Sequence, residues 1–115
     1  MFAIRIKKND ENAVLPVRKH STDAGLDLAC LEDFTLMPRS SERYSVKTID
    51  TGLSLDLDDD QVGLICPRSG LAAKHGITVV NAPGIIDAGY RGPIKVILAN
   101  LGSEEFKAKA GDRIA

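Results

Sequence analysis

The chain has 115 residues and a formal net charge of -1, which allows one domain with a modest core. It carries no basic excess for nucleic acid and no acidic tail for a solvating arm. No apolar run approaches the roughly 20 residues of a membrane span, and the opening Met-Phe-Ala-Ile-Arg-Ile-Lys-Lys alternates instead of forming a signal peptide's apolar block. Cys30 and Cys66 lack metal-ligand spacing and each lies in an apolar run, so both read as buried free thiols suited to a reducing compartment.

Phe2, Ile4 and Ile6 alternate with Ala3, Arg5 and Lys7, the pattern of a half-buried strand. A turn follows at 8–11, and 13–17 reads as a short edge segment interrupted by Pro16. Residues 18–22 are polar and loop-like; 24–30 reads as a strand, apolar apart from Asp27. Further strands are expected at 34–38, 43–47 and 51–57. Asp58, Asp59 and Asp60 close that run as a hairpin turn, since one turn rarely points three acids inward at a metal. Residues 62–66 resume a strand that Pro67 ends, and Ser69 is placed to N-cap the one short helix, with Gly76 its stop. Strands are expected at 77–80 and 94–98, residues 105–108 alternate weakly, and a turn at 111–113 precedes an apolar run opening at Ile114. About ten short strands with regular turn signals predict an all-β sandwich or barrel of jelly-roll type.

The chemistry concentrates in residues 81–92, Asn-Ala-Pro-Gly-Ile-Ile-Asp-Ala-Gly-Tyr-Arg-Gly. It reads as a β-hairpin, with Pro83 pre-setting φ and Gly84 accepting the positive φ of a tight turn. Asp87 lies between an Ile-Ile pair and a Gly-rich turn, a setting that would bury it partly and shape its pKa for general-base work. The competing reading is an ordinary exposed turn residue. Arg68 and the start of the helix at Ser69 offer a fixed positive charge and free backbone N–H groups, an anion site or simply a capped helix with a surface Arg. His75 has no partner in sequence and reads as structural. There is no Walker sequence, which excludes a P-loop enzyme.

Residues 81–92 resemble the third motif of the trimeric deoxyuridine triphosphatases, the dUTPases. Thr22-Asp23-Ala24-Gly25-Leu26-Asp27-Leu28 resembles the first motif, Pro67-Arg68-Ser69-Gly70-Leu71-Ala72 with Lys74-His75-Gly76-Ile77 the second and its sequel, and Gly111-Asp112-Arg113-Ile114-Ala115 the start of the fourth. The match runs in order over nearly the whole chain. The resemblance implies a single domain, 1–115, of the distorted jelly-roll (β-clip) type. It implies hydrolysis of dUTP to dUMP and pyrophosphate by in-line water attack on the α-phosphorus, which limits uracil in DNA and supplies dUMP for dTMP synthesis. It also implies the roles. Asp87 activates water, Tyr90 stacks under deoxyribose, and Asn81 reads uracil with Gly84 and Ile86 completing the base site. Arg68, Ser69 and Gly70 bind phosphate, and Asp27 meets a Mg2+ ion through its hydration shell. Active sites between subunits of a homotrimer and a cytoplasmic setting in a bacterium or a viral host cell follow from the same resemblance, with no nucleic-acid or membrane partner.

The chain departs from the family pattern in two places. Gly89 stands where an acid commonly precedes the Tyr, and the fourth motif stops at Ala115, before its usual Gln, the terminal strand and the Gly-rich fifth motif. The expectation for a chain without that closing arm is nucleotide binding with much reduced turnover. Two other functions share the pattern: a dUTPase-like nucleotide-binding or regulatory protein, and a dCTP deaminase, which needs a catalytic Glu where this stretch offers Asp87.

Overall fold

A computed structural model describes residues 3–40 and 45–115. Phe2 of the first expected strand, and Arg43 and Tyr44 of the strand expected at 43–47, lie outside the described residues. The described residues form nine strands and one helix: β1 Arg5–Lys8, β2 Phe34–Leu36, β3 Val46–Asp50, β4 Leu53–Asp56, β5 Gly63–Ile65, α1 Ser69–His75, β6 Ile77–Val79, β7 Gly84–Ile86, β8 Lys95–Asn100 and β9 Phe106–Ala108. All pairings are antiparallel: β1 with β4, β2 with β9, β5 with β7, and β8 between β3 and β6.

Alternation along these strands builds the core. In β8, Val96 and Leu98 are buried while Lys95 is exposed, and they meet Ile49 of β3, Ile77 and Val79 of β6, and Ile86, Ile94 and Ile114 in one cluster. Fully burying such a side chain contributes about 1.5–3 kcal/mol, so these aliphatic residues suffice without Trp. The buried polar side chains of Asn100 and Thr51 are paired, whereas the buried Ser45 Oγ has no partner among the described residues: Asn100 Nδ2 donates to the carbonyls of Leu36 (3.2 Å) and Glu104 (2.8 Å), and Thr51 Oγ1 donates to that of Ile94 (2.7 Å).

Several sequence expectations are corrected. Residues 13–17 form no strand. Residues 24–30 contribute only a bridge from Ala29 to Arg113, flanked by backbone bonds from Leu28 N–H to Ala115 O (2.9 Å) and from Ile114 N–H to Leu28 O (2.8 Å). Residues 81–92 are not a hairpin. Ile86 turns into the core and Ile85 outward, so the segment needs a strand partner, and β5 supplies it in the register Gly63↔Ile86, Leu64↔Ile85, Ile65↔Gly84. Residues 58–60 make a turn, with Gln61 N–H donating to Asp58 O at 2.9 Å, yet β4 and β5 on either side pair with different partners. Cys30 is buried and its Sγ donates to Lys109 O at 3.1 Å, but Cys66 is exposed. It follows the buried Ile65 and faces the other way.

Candidate functional site

The nine residues singled out from the sequence fall into two clefts that share Ile65 of β5 as a common wall. The smaller, of about 230 Å³, is lined by Asn81, Gly84, Ile86, Asp87 and Tyr90, with Lys95 at its side. The larger, of about 670 Å³, is lined by Asp27, Arg68, Ser69 and Gly70, with Cys66 and Ala115 among its other walls. The residues expected to meet base and sugar therefore line one cleft, and those expected to meet phosphate line its neighbour.

In the smaller cleft, Gly84 serves by close approach. Its φ lies outside the left-handed region, which only Gly52, Gly76 and Gly111 occupy among the described residues. A Cβ on Gly84 would stand 3.3 Å from Asn81 Nδ2 and 3.3 Å from Ile65 Cβ, so the bare backbone lets the Asn81 amide and β5 close on it. The Ala82–Pro83 peptide bond before it is cis. Asp87 is exposed, not partly buried as expected. It follows the inward-facing Ile86 where the strand ends, so it stands at the mouth of the cleft. Among the described residues its carboxylate makes no hydrogen bond or ion pair, leaving both oxygens open. Tyr90 is 45% exposed. Its Oη donates to Pro93 O at 2.8 Å, and its ring lies on Gly92, whose added Cβ would meet Tyr90 Oη at 2.6 Å.

In the larger cleft, α1 begins at Ser69, and Arg68, not Ser69, is the N-cap, with φ -86° and ψ 129° and no side-chain cap. Pro67 disfavours helical backbone at the residue before it, and the helix starts two residues on. The first intrahelical bond runs from Ala72 N–H to Arg68 O (3.0 Å), so the N–H groups of Ser69, Gly70 and Leu71 precede it. Gly76 ends the helix at φ 68°. His75 packs against Phe106 with ring centroids 5.5 Å apart and planes tilted by 53°, and it lines neither cleft.

Asp27 lies between two guanidinium groups, with Arg68 Nε at 3.8 Å from one oxygen and Arg113 Nη1 at 3.7 Å from the other. Arg68 Nη1 also donates to the Arg113 carbonyl at 3.1 Å. The pairing of 28–30 with 111–115 brings Arg113 here. Sequence reasoning gave Arg113 no role; its only signal was its place inside the fourth motif. Among the described residues no three His, Cys, Asp or Glu side chains converge as a metal-ligand set. Two carboxylates, Asp23 and Asp27, line the larger cleft, and a carboxylate there is the kind of ligand that a magnesium ion keeping its waters and taking its other ligands from phosphates would use.

Antiparallel sheets around one aliphatic core, with two neighbouring clefts lined by the residues singled out from the sequence, define a small all-β class of jelly-roll type. A family model described as dUTPase matches residues 11–115. The deoxyuridine 5'-triphosphate nucleotidohydrolase of Clostridium novyi (strain NT) is 53% identical over 110 residues, covering 96% of this chain and 74% of that protein. That of Wolinella succinogenes is 50% identical over 112 residues, covering 97% and 72%. A mutant dUTPase from phage phi11 of S. aureus, solved with a structural Mg(II) ion, superposes with a TM-score of 0.86 at 25% identity over 99% of this chain and 87% of that one. The chain belongs to the dUTPase family, and its fold is the family's jelly-roll-like β fold.

Proposed function

We propose that this chain hydrolyses dUTP to dUMP and pyrophosphate. The observation that carries the reading is the open carboxylate of Asp87 in the same cleft as Asn81 and Tyr90, beside a second cleft holding Arg68 and Ser69. Asp87 orients a water molecule and takes its proton as the oxygen attacks the α-phosphorus in line. The bond from that phosphorus to the bridging oxygen breaks, and the negative charge leaves on pyrophosphate. The Arg68 guanidinium and the Ser69 hydroxyl hold the phosphate chain, with the backbone at Gly70 admitting it closely. Asp27 would hold a hydrated Mg2+ through water, and such an ion offsets charge on phosphate oxygens when bound.

The Asn81 side-chain amide donates and accepts together, as the edge of uracil requires. Backbone groups at Gly84 and Ile86 complete the pairing, and the close approach of Asn81 and Ile65 at Gly84 would set a shape that turns away a C5-methyl. The Tyr90 ring packs under the sugar where a 2'-hydroxyl would have to sit. Residues 1–115 act as one domain. Three copies assemble so that the base-and-sugar cleft of one completes the phosphate cleft of another. Two features support this: one chain keeps the two sets apart, and the register partners Leu64 and Ile85 are 55% and 59% exposed. Both cysteines are free, which fits a reducing, cytoplasmic setting. The deaminase reading finds no support, since among the described residues no Glu lines either cleft.

The test is pyrophosphate release from dUTP with Mg2+, run beside UTP, dCTP and dTTP. Release from dUTP alone is expected. Equal release from all four would refute the assigned base and sugar contacts, and ammonia from dCTP would move the chain to the deaminases.

A further inference from the structure

Asp87 and Tyr90 sit on a loop with no strand partner of its own, between the end of β7 at Ile86 and the start of β8 at Lys95. Two side chains of β4 hold it instead. Ser54 Oγ donates to Gly92 O at 3.1 Å and accepts from Asn9 Nδ2 at 2.9 Å. Asp56 Oδ1 meets Arg91 Nη2 at 2.6 Å. Arg91 Nη1 turns back to donate to the carbonyls of Ala88 and, at 3.4 Å, of Tyr90. The other Asp56 oxygen accepts from Arg5 Nε at 2.7 Å, and Arg5 Nη2 reaches Asp58 Oδ1 at 2.9 Å.

We infer that Arg91 is a positioning residue, its guanidinium anchored on Asp56 and fixing the loop that carries Asp87 and Tyr90. The inference rests on the proposed roles of those two side chains. A planar guanidinium can serve a carboxylate with one nitrogen and backbone carbonyls with another, whereas an ammonium is a single point of charge. The side chains of Arg91 and Asp56 are 51% and 43% exposed, and exposed ion pairs add little to stability. The contact therefore decides where the loop stands more than whether the chain folds. Misplacing a reacting group by about 1 Å can cost about 100-fold in rate, so a loosened loop shows first in turnover and in sugar selectivity.

Arg91→Met and Arg91→Lys in the 115-residue chain test this. Three quantities are read: amide hydrogen exchange across residues 87–92 without ligand, the melting temperature, and kcat and KM for dUTP and UTP. The Met variant is expected to melt near wild type, to exchange several-fold faster within the loop, and to lose about 10- to 100-fold in kcat with a lower preference for dUTP over UTP. The Lys variant, which keeps the ion pair but not the fork, is expected to fall between. Unchanged loop exchange overturns the clamp whether or not the chain turns over dUTP. Faster exchange with unaltered kcat and selectivity overturns the positioning role. A wild type inert toward dUTP, with faster exchange in the variant, supports the clamp and sinks the proposed function instead.

Discussion

Gly92→Ala is the sharpest steric test of Tyr90 as the sugar-reading group. Gly92 is outside the left-handed region, so alanine suits its backbone and only the new methyl matters. That methyl would stand 2.6 Å from Tyr90 Oη, 2.8 Å from Cζ and 3.0 Å from Cε1, where ordinary contact begins at 3.4 Å. The phenol must retreat by about 0.8 Å, which breaks its 2.8 Å bond to Pro93 O. That bond contributes about 1 kcal/mol, and the ring leaves the position that excludes a 2'-hydroxyl. The ratio of kcat/KM for dUTP over UTP is expected to fall about tenfold or more, as a loss of about 1.4 kcal/mol in discrimination implies. Gly89→Ala is the matched control on the same loop, because its added methyl meets nothing within 4 Å. A Gly92→Ala variant that keeps the wild-type ratio would refute the assignment of Tyr90. Loss of the ratio in both variants would trace it to the loop at large.

Three further outcomes follow from the same geometry. In the folded chain a thiol reagent should label Cys66 promptly and Cys30 only on unfolding, because Cys66 is exposed while burial holds the Cys30 thiol above its ordinary pKa; two fast thiols, or none, would contradict the packing. Gly76→Ala should lower the denaturation midpoint, since φ 68° costs an L residue about 1–2 kcal/mol and the new Cβ would stand 2.7 Å from the Gly102 backbone nitrogen; an unchanged midpoint would contradict it. The hydrogen bond from Arg5, then the charges of Arg5 and Arg91, hold the Asp56 carboxyl below its ordinary range. A folded pKa below the unfolded one stabilises above the unfolded value, and that stabilisation is lost as pH falls through the folded value. Wild type should therefore lose melting temperature more steeply than Asp56→Asn below about pH 4; parallel curves would refute the coupling.

Local pattern made much of this legible. The β-branched run at 77–80 supplies β6 over Ile77–Val79, and the Ile85-Ile86 pair and the helix after Pro67 form a strand and a helix where the pattern placed them. The residues singled out for chemistry line two neighbouring clefts. Partner choice was not legible, because alternation states which side chains face inward and not which strand lies alongside. That is why 81–92 looked like a closed hairpin while its strand pairs with β5, and why Cys66 looked buried one residue past the side that is. Exposed polar ties were least legible. Arg91 meets Asp56, and Arg113 meets Asp27, only because β4 and the 28–30 segment come alongside from distant parts of the chain.

The most direct test of the central claim sets Asp87→Asn beside wild type in pyrophosphate release from dUTP, with binding of a non-hydrolysable dUTP analogue measured on both. Removing a general base typically costs about 100- to 10,000-fold. The substituted amide would keep the size of the side chain but could not take the proton. The account predicts a loss of kcat in that range with analogue affinity within a few-fold of wild type. A variant that releases pyrophosphate at the wild-type rate would contradict it, because some group other than Asp87 would then be activating the water.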